Sequence, residues 1–125
     1  MFGILVFSLC ATTSGVALAD CPGSSTPEID YCLGLEATQL DHDLKRTYDK
    51  VVQTLKDAYD VQQNRDKLLL SLEKAQQQWL KFRDADCDFV YKTFSGGTGA
   101  PIGAVSCRIE LTQARIKELK EIIEH

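Results

Sequence analysis

From Leu33 onwards the apolar side chains fall at Leu33, Ala37, Leu40, Leu44, Tyr48, Val51, Leu55 and Ala58. Every step is three or four residues, a period that belongs to one face of an α-helix and not to a strand. Nothing breaks the pattern before about Asp60, so it predicts a helix from Pro27 to about Gln62, roughly 50 Å long at 1.5 Å per residue. Such a helix has an apolar stripe to bury and needs partner helices to bury it. After a polar joint over residues 60–66, with Asn64 as a candidate cap, Leu68, Leu72, Ala75, Trp79, Phe82 and then Asp86 or Cys87 repeat the stepping. Val105, Ile109, Thr112, Ile116, Leu119 and Ile123 repeat it once more. Between these segments SGGTGAPIGA, residues 95–104, has four glycines and a proline in ten positions and reads as a loop. No strand-like alternation competes. The expected fold is all-α, an elongated antiparallel arrangement of three helices with a Gly-rich loop between the second and third.

The two ends of the first helical segment set the compartment. Residues 1–19 carry no charged side chain and close on Ala17-Leu18-Ala19, the apolar run and A-x-A site of a secretory signal. Thr12 to Gly15 interrupt the run, which is short for a membrane span. Cleavage after Ala19 leaves residues 20–125 as a single domain, placed in the periplasm or secreted. Leu18-Ala19-Asp20-Cys21 also resembles a lipobox, with Asp20 where a small residue is expected before a lipidated Cys21. Removing residues 1–19 takes Cys10 away and leaves Cys21, Cys32, Cys87 and Cys107, an even number suited to disulfides in an exported chain. Antiparallel packing brings the end of the second helix to the start of the third, which points to Cys87–Cys107 and leaves Cys21–Cys32 for the irregular lead. In that lead, Thr26 followed by Pro27 reads as an N-cap with proline in the first turn, and Glu28 favours the positive helix end. A domain of this size buries little core, so such bridges compensate.

Charge and motif spacing narrow the function classes. The net charge is −4, against the basic face that nucleic-acid binding selects, and compatible with steering towards a cationic protein. Zinc is not expected: no C-x-x-C occurs, and the two histidines, His42 and His125, stand far from any cysteine. Asp84 and Asp86 point about 200° apart on a helix, and Ca²⁺ needs further oxygen ligands in a loop, so Asp84, Asp86 and Asp88 read as a solvated face. The glycine-rich stretch contains no lysine and follows no strand, which removes phosphate cradling. His42, within Asp41-His42-Asp43, reads as a surface residue. No catalytic residue, cofactor or metal is expected, and the chain is not read as an enzyme. Trp79 and Phe82, at i and i+3, read as core. Arg83 lies beside that stripe with two readings open: an ion pair across the interface to Glu36, Asp41 or Asp43, or an exposed arginine lying over Trp79.

Several of these pieces together resemble a known family. Cys32, Gln76 followed by Trp79-x-x-Phe82-Arg83-x-x-x-Cys87, the Gly96-Gly97-Thr98 loop, and Cys107 followed by Leu111-Thr112-x-x-Arg115-x-x-Glu118-Leu119 are similar to the LprI-type lysozyme-inhibitor domain, an exported bacterial module. The resemblance covers nearly all of residues 20–125. It implies export, a helical fold whose signature residues are Gln76, Trp79, Phe82, Arg83, Thr112 and Arg115, and a lysozyme as protein partner. One departure stands in the first helix: Leu44-Lys45-Arg46-Thr47-Tyr48 has Lys45 where the family pattern has asparagine.

Two functions from different classes follow. In one, the protein binds and blocks a lysozyme; in the other, it is a structural or adaptor module of the bacterial envelope with a different partner. For the first, the loop offers Phe94, Gly96, Gly97, Thr98 and Ile102 as a projecting contact element tethered by Cys87–Cys107. Against it stands a plain helix connection whose glycines serve the turn. No nucleic-acid partner is expected, and no membrane insertion after signal cleavage.

Overall fold

The computed structural model describes Cys21, Gly23 and residues 25–124. The signal segment 1–19, the lipobox residues before Cys21 and His125 lie outside the described residues. In chain order the elements are α1 (Thr26–Ala58), a 3₁₀ turn (Val61–Gln63), α2 (Arg65–Thr93) and α3 (Ala100–Glu124). Among the described residues there is no strand, and no helix long and apolar enough to cross a membrane.

Local chemistry sets the helix ends, and in three places it moves them from the expected positions. Ser25, not Thr26, caps α1: its hydroxyl accepts from the Glu28 N–H at 3.4 Å, which puts Thr26 and Pro27 inside the first turn. At the other end α1 stops at Ala58 instead of about Gln62. Tyr59 is extended, and Asp60 and Gln63 form a reciprocal capping box, each side chain bonded to the other's backbone N–H at 2.9 Å. Those backbone groups are then taken from any continuation of α1. Asn64 enters the left-handed region at φ 61° and turns the chain into α2; its side chain makes no cap bond, so it serves by tolerating that conformation.

The expected loop over residues 95–104 is shorter than its composition suggests. Only residues 94–99 lie between the two helices, and Ala100 to Ala104 form the first turn of α3. Pro101 suits that turn, where a backbone N–H has no intrahelical acceptor. Ser95 and Gly96 take φ 51° and 79°, and the Gly97 N–H closes the turn on the Phe94 carbonyl at 2.9 Å. Gly103 stays glycine-sized for a packing reason: a Cβ there would lie 2.5 Å from Phe94 Cε2.

The core forms where α3 meets the other two helices. Leu44 and Val51 of α1 and Ile116 and Leu119 of α3 are buried, surrounded by partly buried Leu40, Tyr48, Leu55, Leu72, Trp79, Leu80 and Ile123. Helix α3 packs along both α1 and α2, whereas α1 and α2 touch each other little. Phe82 departs from its expected place: it is 55 % exposed. The inward side of α2 carries Gln76, Arg83 and Cys87, and a residue next to Arg83 is rotated from it by about 100°, which turns Phe82 to solvent.

Two disulfides brace one end. Cys21 is joined to Cys32 and Cys87 to Cys107, with Cα–Cα separations of 5.6 and 5.5 Å. A lipid thioether on Cys21 and the bond to Cys32 exclude one another, since both consume the same sulfur. The chain-entropy account assigns about 3 kcal/mol to a bridge of this loop length, Cys87–Cys107 spanning 20 residues.

The placement of the core is checked by a pair of substitutions. Leu119→Ala, at a fully buried position, is expected to cost about 2–5 kcal/mol. Phe82→Ala, at an exposed one, is expected to stay within about 0.5 kcal/mol. Urea denaturation of the two variants that returns the opposite order would overturn this assignment.

Candidate functional site

The helical period puts a set of polar side chains where apolar ones would be expected. On α2, Gln76, Leu80, Arg83 and Cys87 follow one another at steps of four, three and four residues. On α3, Arg108, Thr112 and Arg115 do the same at four and three, and Asp41 of α1 lies between Leu40 and Leu44. These faces meet, so the polar groups form one joint between three helices.

Arg83 is its centre, with a side chain only 5 % exposed. Its Nη1 donates to Asp41 Oδ1 at 2.7 Å and to the buried Thr112 hydroxyl at 3.2 Å, and its Nε donates to Asp84 Oδ1 at 3.2 Å. Arg108 Nη2 donates to the second oxygen of Asp41 at 3.2 Å. One turn further on, Arg115 Nε donates to Gln76 Oε1 at 3.0 Å and its Nη1 to Glu118 at 2.9 Å. The Trp79 ring joins the two halves, with the guanidinium carbons of Arg83 and Arg115 at 5.4 and 5.9 Å from its centroid. Both readings left open for Arg83 therefore contain part of the arrangement: it pairs with Asp41, and it lies over Trp79, but it is buried.

Other expected residues fall outside the joint. Asp43 pairs with Arg46 on its own helix, and Glu36 makes no bond to Arg83; its enclosed Oε1 has no hydrogen-bond partner among the described residues. Lys45 reaches Asp49 at 2.8 Å on the surface of α1, so the position that departs from the family pattern faces solvent. Asp88 pairs with Lys92, Asp86 approaches Cys107, and His42 is exposed. No group of acids, histidines and cysteines among the described residues is arranged to hold a metal ion. Of the loop residues, Phe94, Gly96, Gly97 and Thr98 are exposed in the connection, while Ile102 is half-buried on α3. Sequence reasoning missed Arg108 and Asp84 as partners of the joint. The spacing of Arg108, four residues before Thr112 on the same face, was the available signal.

Beside the joint, where α1 and α2 stand apart, a cleft of about 320 Å³ opens between Asp41, Leu44, Lys45 and Tyr48 on one wall and Gln76, Leu80 and Arg83 on the other. Burial, and then the nearby carboxylates of Glu73 and Asp49, push the Tyr48 phenol above its ordinary pKa.

The described residues thus define a disulfide-braced three-helix domain with a charge-paired joint. A family model described as "Lysozyme inhibitor LprI" matches residues 19–119, and the chain belongs to that family. It is similar to an uncharacterized protein of Rhizobium meliloti (strain 1021), 31 % identical over 104 residues, which cover 80 % of this chain and 75 % of the relative. No solved structure matches significantly.

Two outcomes test the site. Asp41→Ala leaves the Arg83 charge in the interior without its main partner and is expected to cost about 3 kcal/mol, the lower end for a broken buried pair because Asp84 and Thr112 still serve the guanidinium. Arg108→Ala breaks only a half-exposed pair and is expected to cost below about 1 kcal/mol; chemical denaturation of both gives the comparison. For Tyr48, the folded-state pKa lies above that of the unfolded chain. Its contribution to stability is therefore complete below about pH 10, the unfolded value, and fades as pH rises through the folded one. Tyr48→Phe is expected to flatten the fall in melting temperature across that alkaline window and leave the neutral-pH slope unchanged.

Proposed function

We propose that the protein is an exported inhibitor that binds and blocks a lysozyme, acting in the periplasm or as a secreted protein after cleavage behind Ala19. The observation that carries this reading is the family match over residues 19–119, which takes in α1, α2, most of α3 and both disulfides. Physical features agree with it. The net charge of −4 favours encounter with a basic enzyme. The connection 94–99 stands between two helices whose ends are tied by Cys87–Cys107, and Phe94 lies against Gly99 and Gly103 while remaining 45 % exposed. A turn held at its base loses little freedom on docking, so a short element gains affinity. Phe94 and Thr98 are its contact side chains, and Gly96 and Gly97 allow the backbone to come close to a cleft wall.

Inhibition of a c-type lysozyme, with retention on the immobilised enzyme at two salt concentrations, tests the function. Retention that weakens at higher salt is the expected result, because screening removes the steering. Absence of both inhibition and retention favours the adaptor reading. Replacing residues 95–99 by a Gly/Ser linker of equal length, with Phe94 kept, is expected to weaken inhibition strongly while helicity and melting temperature stay close to the parent. Inhibition that survives this replacement places the contact elsewhere on the domain.

A further inference from the structure

We propose that the cleft between α1 and α2 binds a small organic carboxylate with an apolar body. Hydrogen-bonding capacity is unevenly spent around it. Its acceptors are engaged inside the joint: Asp41 Oδ1 and Oδ2 receive Arg83 and Arg108, and Gln76 Oε1 receives Arg115. Donors are left over. Arg83 is bonded through Nε and Nη1, and its Nη2 has no partner among the described residues; the same holds for Gln76 Nε2 and the Tyr48 hydroxyl. All three side chains line the cleft. A tyrosine phenol is protonated at neutral pH, and so a donor, and burial moves its pKa further in that direction.

The lining carries two cations, Arg83 and Lys45, and one anion, Asp41. Each of the three is ion-paired, Arg83 with Asp41 and Asp84, Lys45 with Asp49, and Asp41 with Arg83 and Arg108, so it is the free guanidinium nitrogen and not an excess of positive charge that favours an acceptor. An anion entering the cleft meets a guanidinium that is fixed by three other bonds and largely stripped of water, so neither its ordering nor its desolvation is added to the cost of binding. Guanidinium, carboxamide and phenol are all donors, and the lone pairs of a carboxylate can accept from each. Leu44 and Leu80 supply apolar walls for the rest of the ligand, and the volume lies at the small end of the range for small-molecule sites. This site is separate from the 94–99 connection, so it stands or falls independently of the inhibitor reading.

The test is a titration of the oxidised protein, followed by amide NMR shifts and calorimetry. One arm uses octanoate against octanol, the other N-acetyl-leucine against its amide, to separate alkyl acids from peptide carboxyl ends. Saturable shifts confined to residues 41–48 and 76–83 are expected with at least one acid, with its uncharged counterpart about tenfold weaker or more. Leu80→Trp, which fills the cleft, is expected to abolish these shifts. Tyr48→Phe is expected to weaken binding several-fold with unchanged circular dichroism, and it carries the test should Leu80→Trp fail to fold. Equal binding of acid and uncharged counterpart, shifts centred elsewhere, or no saturation by either acid in the millimolar range would overturn the proposal.

Discussion

A guanidinium in the interior of a small domain has to be answered, and the structure is organised around the answer to Arg83. An unpaired charge there would be costly, while its pairing with Asp41 returns much of the desolvation loss only if the geometry is good. The pairing asks something of all three helices at once. Helix α1 supplies Asp41, α2 the arginine and α3 the Thr112 hydroxyl, all within 3.2 Å of one nitrogen. Sliding any helix by one residue rotates its faces by about 100° and strands the charge. Aliphatic packing in the core of Leu44, Val51, Ile116 and Leu119 is more forgiving, because such cores accept repacking. The apolar core therefore supplies most of the cohesion, and the joint fixes the register.

Helix α3 carries the second constraint. With α1 and α2 in little contact, α3 is the surface against which each is held, and its fully buried Ile109, Thr112 and Leu119 lie along that shared face. The same geometry leaves α1 and α2 standing apart and opens the cleft beside the joint. Both disulfides lie at the end where α1 begins and α2 meets α3. The opposite end relies on the Asp60–Gln63 capping box and the left-handed Asn64. Cohesion is thus graded along the long axis, with the covalently tied end the more constrained.

The residues that carry the family resemblance have a plain structural meaning. Gln76, Trp79, Arg83, Thr112 and Arg115 converge on the joint, where they bond to one another across helices. They specify how the three helices sit together. A partner-binding surface has to be sought among side chains that the joint does not use, which is why family membership speaks more directly to this fold than to the mode of inhibition.

The elements were legible in the sequence because their signals are local. A three-and-four stepping needs no tertiary context to define a helix, and an even set of cysteines at the ends of antiparallel helices leaves few ways to bridge them. What tertiary structure decided was orientation within those elements. Stepping locates an apolar stripe only to within about one residue, and on α2 hydrophobicity favours Phe82 as the inward side chain over Arg83. The helices resolve it the other way, since Asp41 and Thr112 can satisfy a buried guanidinium whereas an aromatic ring tolerates exposure at modest cost. Among Glu36, Asp41 and Asp43, only packing could select Asp41, because all three lie within two turns of the same helix. The start of α3 was hidden for a related reason: Gly99 to Gly103 look like loop by composition, but the Phe94 ring needs glycine beneath it, and that contact exists only once α2 and α3 are folded together.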